Sequence, residues 1–339
     1  MSFLSAVAVK LRKKYFRFRD RNFLPCTVFC RNPLVLAAYD TDFLRNAPGF
    51  LAYFDNCRAK SIHVFLQLGW EHETPENAEP FAAAVKDVLS KCDRLHVTVL
   101  ANSENEVRVL SALGLHAVFC NQNAFVDESR YPILRAKKKF DAIYIARITP
   151  FKRHFLAEKV PSIRLIGDFA WREHEKPYAH DIISNRLKQA EWTAHLRGSQ
   201  IPGQIAKARC GLCLSQIEGA MFVSVEYLLC GVPVVNTANI GGRDAMFPDF
   251  AVKTVPDDPD AVAEAVREFV RNPPPPEKIR AATLEIMNRH RQVFRDLLNE
   301  AMAPNVYPAS RKLPHKLFLR CQAMPWQMLK YQLIRPRGL

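Results

Sequence analysis

Four charged side chains in this chain of 339 residues are of types and spacings that can do chemistry on an anionic, hydroxyl-rich ligand. Arg147 and Lys152 lie in Tyr144-Ile-Ala-Arg147-Ile-Thr-Pro-Phe-Lys152-Arg153, which brings two or three cations together just past an apolar run. An arginine offers phosphate a two-pronged fork and a lysine offers a mobile point charge. Glu218 and Glu226 lie eight positions apart in SQIEGAMFVSVEYLLCGVPVVN, with an apolar, helix-like stretch between them. Ionised carboxylates are the strongest side-chain acceptors for the vicinal hydroxyls of a sugar. His72, in Gly69-Trp-Glu-His-Glu73, follows an apolar run as well. It is either a structural histidine or a group that polarises an acceptor or steadies a transferred sugar.

Elements must hold those side chains, and the hydrophobic pattern supplies them. Strands are expected at Pro33–Ala38, Ile62–Leu68, Leu95–Leu100 and His116–Cys120, alternating with helical patterns near 42–56, 78–91 and 103–113. A second series places strands at Ala142–Ala146, Ser162–Ile166, Gly211–Ser215, Val232–Asn236 and Ala251–Val255. Its helices fall near 151–159, 202–208, 221–230, 258–271 and 277–299, with Pro273–Pro276 as a surface turn. Such alternation predicts parallel sheets covered by helices. The expected fold class is α/β, with two Rossmann-like domains facing each other across a cleft. Their expected bounds are 1–135 and 136–300, followed by a basic tail over 301–339.

On this arrangement Glu218 and Gly219 fall in the loop at the carboxyl end of a strand, where open α/β sheets bind ligands. Gly219, Ala220 and Met221 bring their amides to the opening of the next helix, a place suited to an anion. Glu226 follows within that helix. Cations for a diphosphate, a helix N-terminus and two separated carboxylates together make a nucleotide-sugar site.

The order Ala146-Arg147…Lys152, Leu165-Ile-Gly167-Asp168, Ser215…Glu218-Gly219…Glu226…Cys230-Gly-Val-Pro-Val-Val235 and Gly241-Gly242 resembles the carboxyl-terminal half of retaining GT-B glycosyltransferases, family 4 in particular. The two glutamates fit that family's E-x7-E signature. Asn121-Gln-Asn-Ala-Phe-Val-Asp127…Tyr131-Pro132 is similar to its interdomain segment. The resemblance implies that Arg147 and Lys152 hold the donor diphosphate, that Glu218 touches the transferred sugar, and that Glu226 holds the ribose hydroxyls. Glu218 and His72 are then the catalytic candidates. Arg147, Lys152, Gly219, Ala220, Met221 and Glu226 are the donor-binding ones. Where the family has Gly-Phe-Gly after the first glutamate, this chain has Gly219-Ala220-Met221, and the methionine narrows the room beside the sugar. Gly241-Gly-Arg-Asp244 is either a plain turn or a place where backbone amides approach the donor. Trp192 and His195 are candidates for the nucleotide base, with a core or surface role as the alternative.

Composition bounds the rest. An apolar fraction of 48% and a charged fraction of 24% are those of a globular chain. The nine cysteines sit mostly in apolar stretches, and Cys210-Gly-Leu-Cys213 falls in an expected buried strand, so no metal or other cofactor is expected. The net charge of +14 is concentrated at the ends: +6 over residues 1–22 and +7 over 306–339, leaving the body nearly neutral. Leu4, Val7, Leu11, Tyr15 and Phe18 lie on one helical face and Lys10, Lys13, Lys14, Arg17 and Arg21 on another. That pattern suits an anionic membrane surface, with a docked helix that has a solvated basic face as the alternative, and the confinement of charge to the ends argues against nucleic acid. No window is apolar enough to span a bilayer, and the order of the first residues is the reverse of a secretory signal. The expectation is a cytoplasmic protein held peripherally on the inner face of the membrane. Its expected activity is metal-independent transfer, with retention, from a nucleoside diphosphate-sugar to a cell-envelope glycan or lipid-linked acceptor. A nucleotide-sugar epimerase on the same fold, or a scaffold or nucleic-acid-binding protein with a degenerate donor site, are the alternatives.

Overall fold

The structure, a computed structural model, describes residues 24–168 and 173–314. The amphipathic amino-terminal segment and the tail beyond residue 314 lie outside them. The described chain divides into two compact units, one comprising residues 24–101, 107–119 and 293–314, the other Asn102–Glu106 and Cys120–Gln292.

The first unit carries strands β1 (Cys26–Arg31), β2 (Leu34–Tyr39), β3 (Ile62–Gln67), β4 (Leu95–Ala101) and β5 (Ala117–Phe119). The helices are α1 (Asp40–Arg45), α2 (Ala47–Asn56), α3 (Pro75–Leu89) and α4 (Glu104–Ala112). The strands lie in the order β1-β2-β3-β4-β5, parallel from β2 onward. Strands such as Leu-Val-Leu-Ala-Ala on β2 are apolar without alternation and buried residue after residue, the pattern of a parallel sheet covered on both faces. Leu36, Ile62 and Leu66 meet Phe43, Phe50 and Phe54 in a core with no accessible surface. β1 is a departure from the expected rhythm: it pairs antiparallel with β2 as an edge strand. Phe29 on β1 packs edge-on against Phe294 and Tyr307, 5.6 and 5.8 Å away.

The second unit carries β6 (Phe140–Ile145), β7 (Ile163–Ile166), β8 (Glu191–Thr193), β9 (Ala208–Cys213), β10 (Val234–Thr237) and β11 (Val252–Val255). The helices are α5 (Lys176–Asp181), α6 (Ile201–Ile205), α7 (Phe222–Leu229), α8 (Pro259–Arg271) and α9 (Pro276–Met302), of which the residues from Val293 on belong to the first unit. All six strands are parallel, in the order β8-β7-β6-β9-β10-β11. Numbered within the unit this is 3-2-1-4-5-6, the doubly wound Rossmann order, whose direction reverses between β6 and β9.

The crevice at that reversal has a visible cause. Pairing between β6 and β9 stops at Ile143 opposite Gly211. Two residues on, the Ile145 amide donates instead to the Tyr227 hydroxyl at 2.7 Å. The Tyr227 ring, fully buried on α7, lies over Gly211, where any Cβ would come within 2.3 Å of it. One tyrosine thus needs one glycine and takes over a ladder bond where the strands part.

Two other expectations are corrected. A helix over 151–159 is replaced by two short 3-10 turns, Pro150–Lys152 and His154–Ala157, interrupted by Arg153 in the left-handed region at φ 51°. The proline turn ends one residue early, because Pro276 opens α9, where its missing N–H costs nothing. The short elements β8 and α5 had no periodicity long enough to announce them.

Candidate functional site

Both loops that flank the crevice carry expected ligand groups. After β6 the chain must turn sharply to present Lys152, and two buried groups make it do so. The Tyr144 hydroxyl, on β6, donates to the Lys152 carbonyl at 2.5 Å. Arg153 donates through Nε to the Leu214 carbonyl and through Nη2 to Thr237 Oγ1, both at 2.7 Å, and pairs with Asp257. A left-handed non-glycine residue costs on the order of 1–3 kcal/mol, and these bonds to the ends of β9 and β10 offset it. Arg153 is therefore a fastener within the protein, where its sequence position had grouped it with the ligand cations. His154 beside it is kept neutral, with burial as the main cause pushing its pKa down to about 3.

After β9 the chain runs extended from Gln216 to Gly219 because the loop after β10 zips onto it. Ile217 bridges Ile240, the Glu218 amide donates to the Ile240 carbonyl at 3.0 Å, and the Gly242 amide donates to the Gly219 carbonyl at 2.7 Å. Arg243, with no accessible surface, holds the base of both loops. It donates to the Ser215 carbonyl at 3.0 Å and to the Thr237 carbonyl, and pairs with Asp244 at 2.7 Å. The Gly-Gly-Arg-Asp stretch thus positions Gly219; its Gly242 amide is directed at protein.

These two loops bring Lys152 and Glu218 into a direct ion pair. Arg147, on the exposed side of the same loop, places its guanidinium 6.0 Å from the Phe151 ring, with the Lys152 ammonium 5.2 Å from that ring. The ring collects the two cations beside each other.

Helix α7 starts one residue later than expected. Its N-cap is Met221, at φ 48° and ψ 80°, and the side chain makes no capping hydrogen bond. Arg153 and Met221 are the non-glycine residues with positive φ among those described, and they flank the same crevice. A glycine would adopt the Met221 conformation at no cost, which gives backbone content to the departure from Gly-Phe-Gly. Ala220 and Met221 are both buried, and the Ala220 carbonyl accepts from the Asn123 amide group.

Glu226 lies in the second turn of α7, half-buried, and its Oε1 accepts from the Tyr131 hydroxyl at 2.6 Å. Sequence reasoning placed Tyr131 in a connecting segment and gave it no role. Burial, and then the Glu226 carboxylate, hold the Tyr131 phenol well above its usual pKa, so it stays a donor at all ordinary pH.

The remaining candidates divide. Trp192 on β8 is half-buried and donates from Nε1 to the Gly167 carbonyl at 3.0 Å, while His195 is exposed. His72 belongs to the first unit and is buried, its ring 4.4 Å from Phe81 on α3. Burial lowers its pKa, so the imidazole is neutral at pH 7. Its neighbour Glu71, with no accessible surface, accepts from the amides of Glu73 and Thr74 at 2.7 and 3.2 Å and anchors the start of α3. Asp40, at the carboxyl end of β2, was not anticipated. Burial raises its pKa to about 6, against the pull of the Gly69 and Thr41 amides that donate to it. Cys210 and Cys213 are buried on β9, and desolvation pushes both thiols up, Cys213 to about 12. Among the described residues no group of three or more His, Cys, Asp or Glu side chains is arranged to hold a metal ion. No helix among them is long and apolar enough to cross a membrane.

Residues 126–285, all within the second unit, match the family model described as "Glycosyl transferases group 1". Solved structures agree with the chain in fold. Anabaena HepE in complex with UDP-glucose has a TM-score of 0.57 at 17% identity, over 77% of this chain and 78% of that one. A glycosyltransferase from Rickettsia africae has 0.55 at 13%, over 78% and 83%. A sucrose-phosphate synthase from Thermosynechococcus elongatus has 0.52 at 15%, over 76% and 79%. No curated protein matches the chain in sequence. The fold is that of the GT-B glycosyltransferases.

Proposed function

We propose that the protein is a glycosyltransferase that moves a sugar, with retention, from a nucleoside diphosphate-sugar to a glycan or lipid-linked acceptor of the cell envelope. The observation that carries this reading is the placement of Arg147, Lys152 and Glu218 on the two loops where the strand order of the second unit reverses. In this reading Arg147 and Lys152 neutralise the charge that grows on the leaving diphosphate, and the amides of residues 219–222 add partial positive charge at the start of α7. Glu218 holds hydroxyls of the transferred sugar, and Glu226 holds the ribose. Met221 lines the sugar side. His72 acts on the acceptor or the sugar as a neutral hydrogen-bonding group. A thermal-shift panel of nucleotides and sugar nucleotides, followed by a donor-hydrolysis screen, tests the reading. Stabilisation by a sugar nucleotide and release of its nucleoside diphosphate are expected. An isomerised sugar nucleotide as product would instead identify an epimerase.

Two fixed cations take the place that a divalent ion has in other diphosphate sites, so transfer is expected to survive chelation. Initial rates in excess EDTA should equal those in manganese or magnesium. Loss of transfer in EDTA, restored by either metal, would refute the metal-independent reading.

The basic ends are assigned to an anionic bilayer, where each lysine or arginine near the surface contributes on the order of 1 kcal/mol within a Debye length of roughly 8–10 Å. Deleting residues 1–20 should reduce flotation with anionic liposomes, and raised salt should do the same to the intact protein. Turnover of a short soluble acceptor should change little. An intact protein that ignores anionic liposomes even at low salt would rule this assignment out.

A further inference from the structure

We infer that Tyr131 is a positioning residue for the donor site: its hydroxyl presets the Glu226 carboxylate for the ribose hydroxyls, and so sets how strongly the protein discriminates a ribonucleotide from one lacking them. This rests on the assignment of Glu226 to the ribose. Glu226 sits on a helix with three rotatable side-chain bonds, and a carboxylate at that position loses rotamer freedom when it grips a diol. The Tyr131 hydroxyl donates to Glu226 Oε1 at 2.6 Å, the length of a charge-assisted O–H···O⁻ bond. A bond of that kind removes most of the freedom before the ligand arrives, which is the general basis of preorganisation.

The tyrosine is itself held. Its ring is buried, with 9% of its surface exposed. Arg280, on α9, clamps its backbone. One guanidinium nitrogen donates both to the Tyr131 carbonyl and to the carbonyl of Leu229, the last residue of α7, and the other donates to the Glu128 carbonyl at 2.9 Å. The same arginine therefore registers the segment that carries the hydroxyl against the helix that carries the carboxylate. Arg291, also on α9, fixes the preceding stretch through the Ala124 and Val126 carbonyls at 2.6 and 3.1 Å and the Glu128 carboxylate at 2.8 Å. Pro132 then keeps the backbone of Tyr131 out of the helical region, at φ −123° and ψ 62°. Arg280 and Arg291 thus hold the segment whose hydroxyl donates to the proposed ribose ligand.

The test compares the affinity of the best-binding nucleoside diphosphate with that of its 2′,3′-dideoxy analogue, by calorimetry. Tyr131→Phe keeps the ring and the Arg280 bonds and removes only the donor. It should weaken the ribonucleotide about tenfold, the scale of one hydrogen bond to a charged group, and leave the dideoxy analogue unchanged. With saturating acceptor, donor KM should rise while kcat holds. Glu226→Gln should collapse the discrimination further, and the double substitution should add little to it. Incorporation of 4-aminophenylalanine at 131, which keeps an N–H donor at similar reach, should retain the discrimination, and it serves as the second variant should phenylalanine fail to fold. Equal weakening of both nucleotides by Tyr131→Phe would make the residue merely structural and overturn the inference. Unchanged discrimination in Tyr131→Phe, with collapse in Glu226→Gln, would overturn it while leaving the ribose assignment standing. Unchanged discrimination in Glu226→Gln would sink that assignment and the inference together.

Discussion

Replacing Lys152 by methionine should lower the rate of sugar transfer by about 10² to 10³, the scale seen when one preorganised group facing developing negative charge is lost. The same change should lower the melting temperature, for a separate reason. Lys152 and Glu218 form a pair with side-chain exposures of 13% and 9%. Removing one partner leaves a charge in poor solvent, at a cost toward the low end of about 3–5 kcal/mol. The two effects can be separated. Lys152→Met combined with Glu218→Gln no longer strands a charge, so the double variant should recover most of the stability and none of the activity. Thermal melts and initial rates on the wild type and the two variants measure this. A Lys152→Met protein that turns over at the wild-type rate would remove Lys152 from the diphosphate. A double variant as unstable as the single would show that the pair is not what couples stability to this site.

Glu226→Ala should weaken nucleotide binding by about 1.5–3 kcal/mol, roughly 10- to 150-fold in Kd, as expected for a hydrogen bond to a charged group. The fold should be intact, because Glu226 is only half-buried and its partner Tyr131 remains clamped through its backbone by Arg280. Calorimetry with the nucleoside diphosphate preferred in the thermal-shift panel gives the number directly. An unchanged Kd would mean that the ribose is held elsewhere.

Much of the second unit was legible because its signals are local. Alternation of apolar runs with helical periods announced five of its six strands, and the spacing of Glu218 and Glu226 around an apolar helix marked one loop and its following helix. Short elements escaped: β8 spans three residues and α5 six, too few to show a period. β1 escaped because an antiparallel edge strand breaks the βα rhythm from which the others were inferred. In the first unit the apolar strands were visible, but the buried Asp40 was not, since a carboxylate's burial is a property of its neighbours.

What the amino-acid sequence determined by itself is the class of fold and the inventory of chemistry: parallel α/β architecture, cations after one strand, carboxylates around the next helix. What the tertiary structure decided is which like-looking residues do which job. Lys152 and Arg153 are adjacent cations, yet the left-handed turn at 153 sends one guanidinium into the protein, to Leu214, Thr237 and Asp257, and the neighbouring ammonium to Glu218. Arg243 looked like a turn residue and is a buried brace between two strand ends. Tyr131 gained its meaning from a partner 95 positions away. Periodicity and spacing are written along the chain, whereas burial and hydrogen-bond partners arise from segments far apart in it, so only the folded arrangement assigns them.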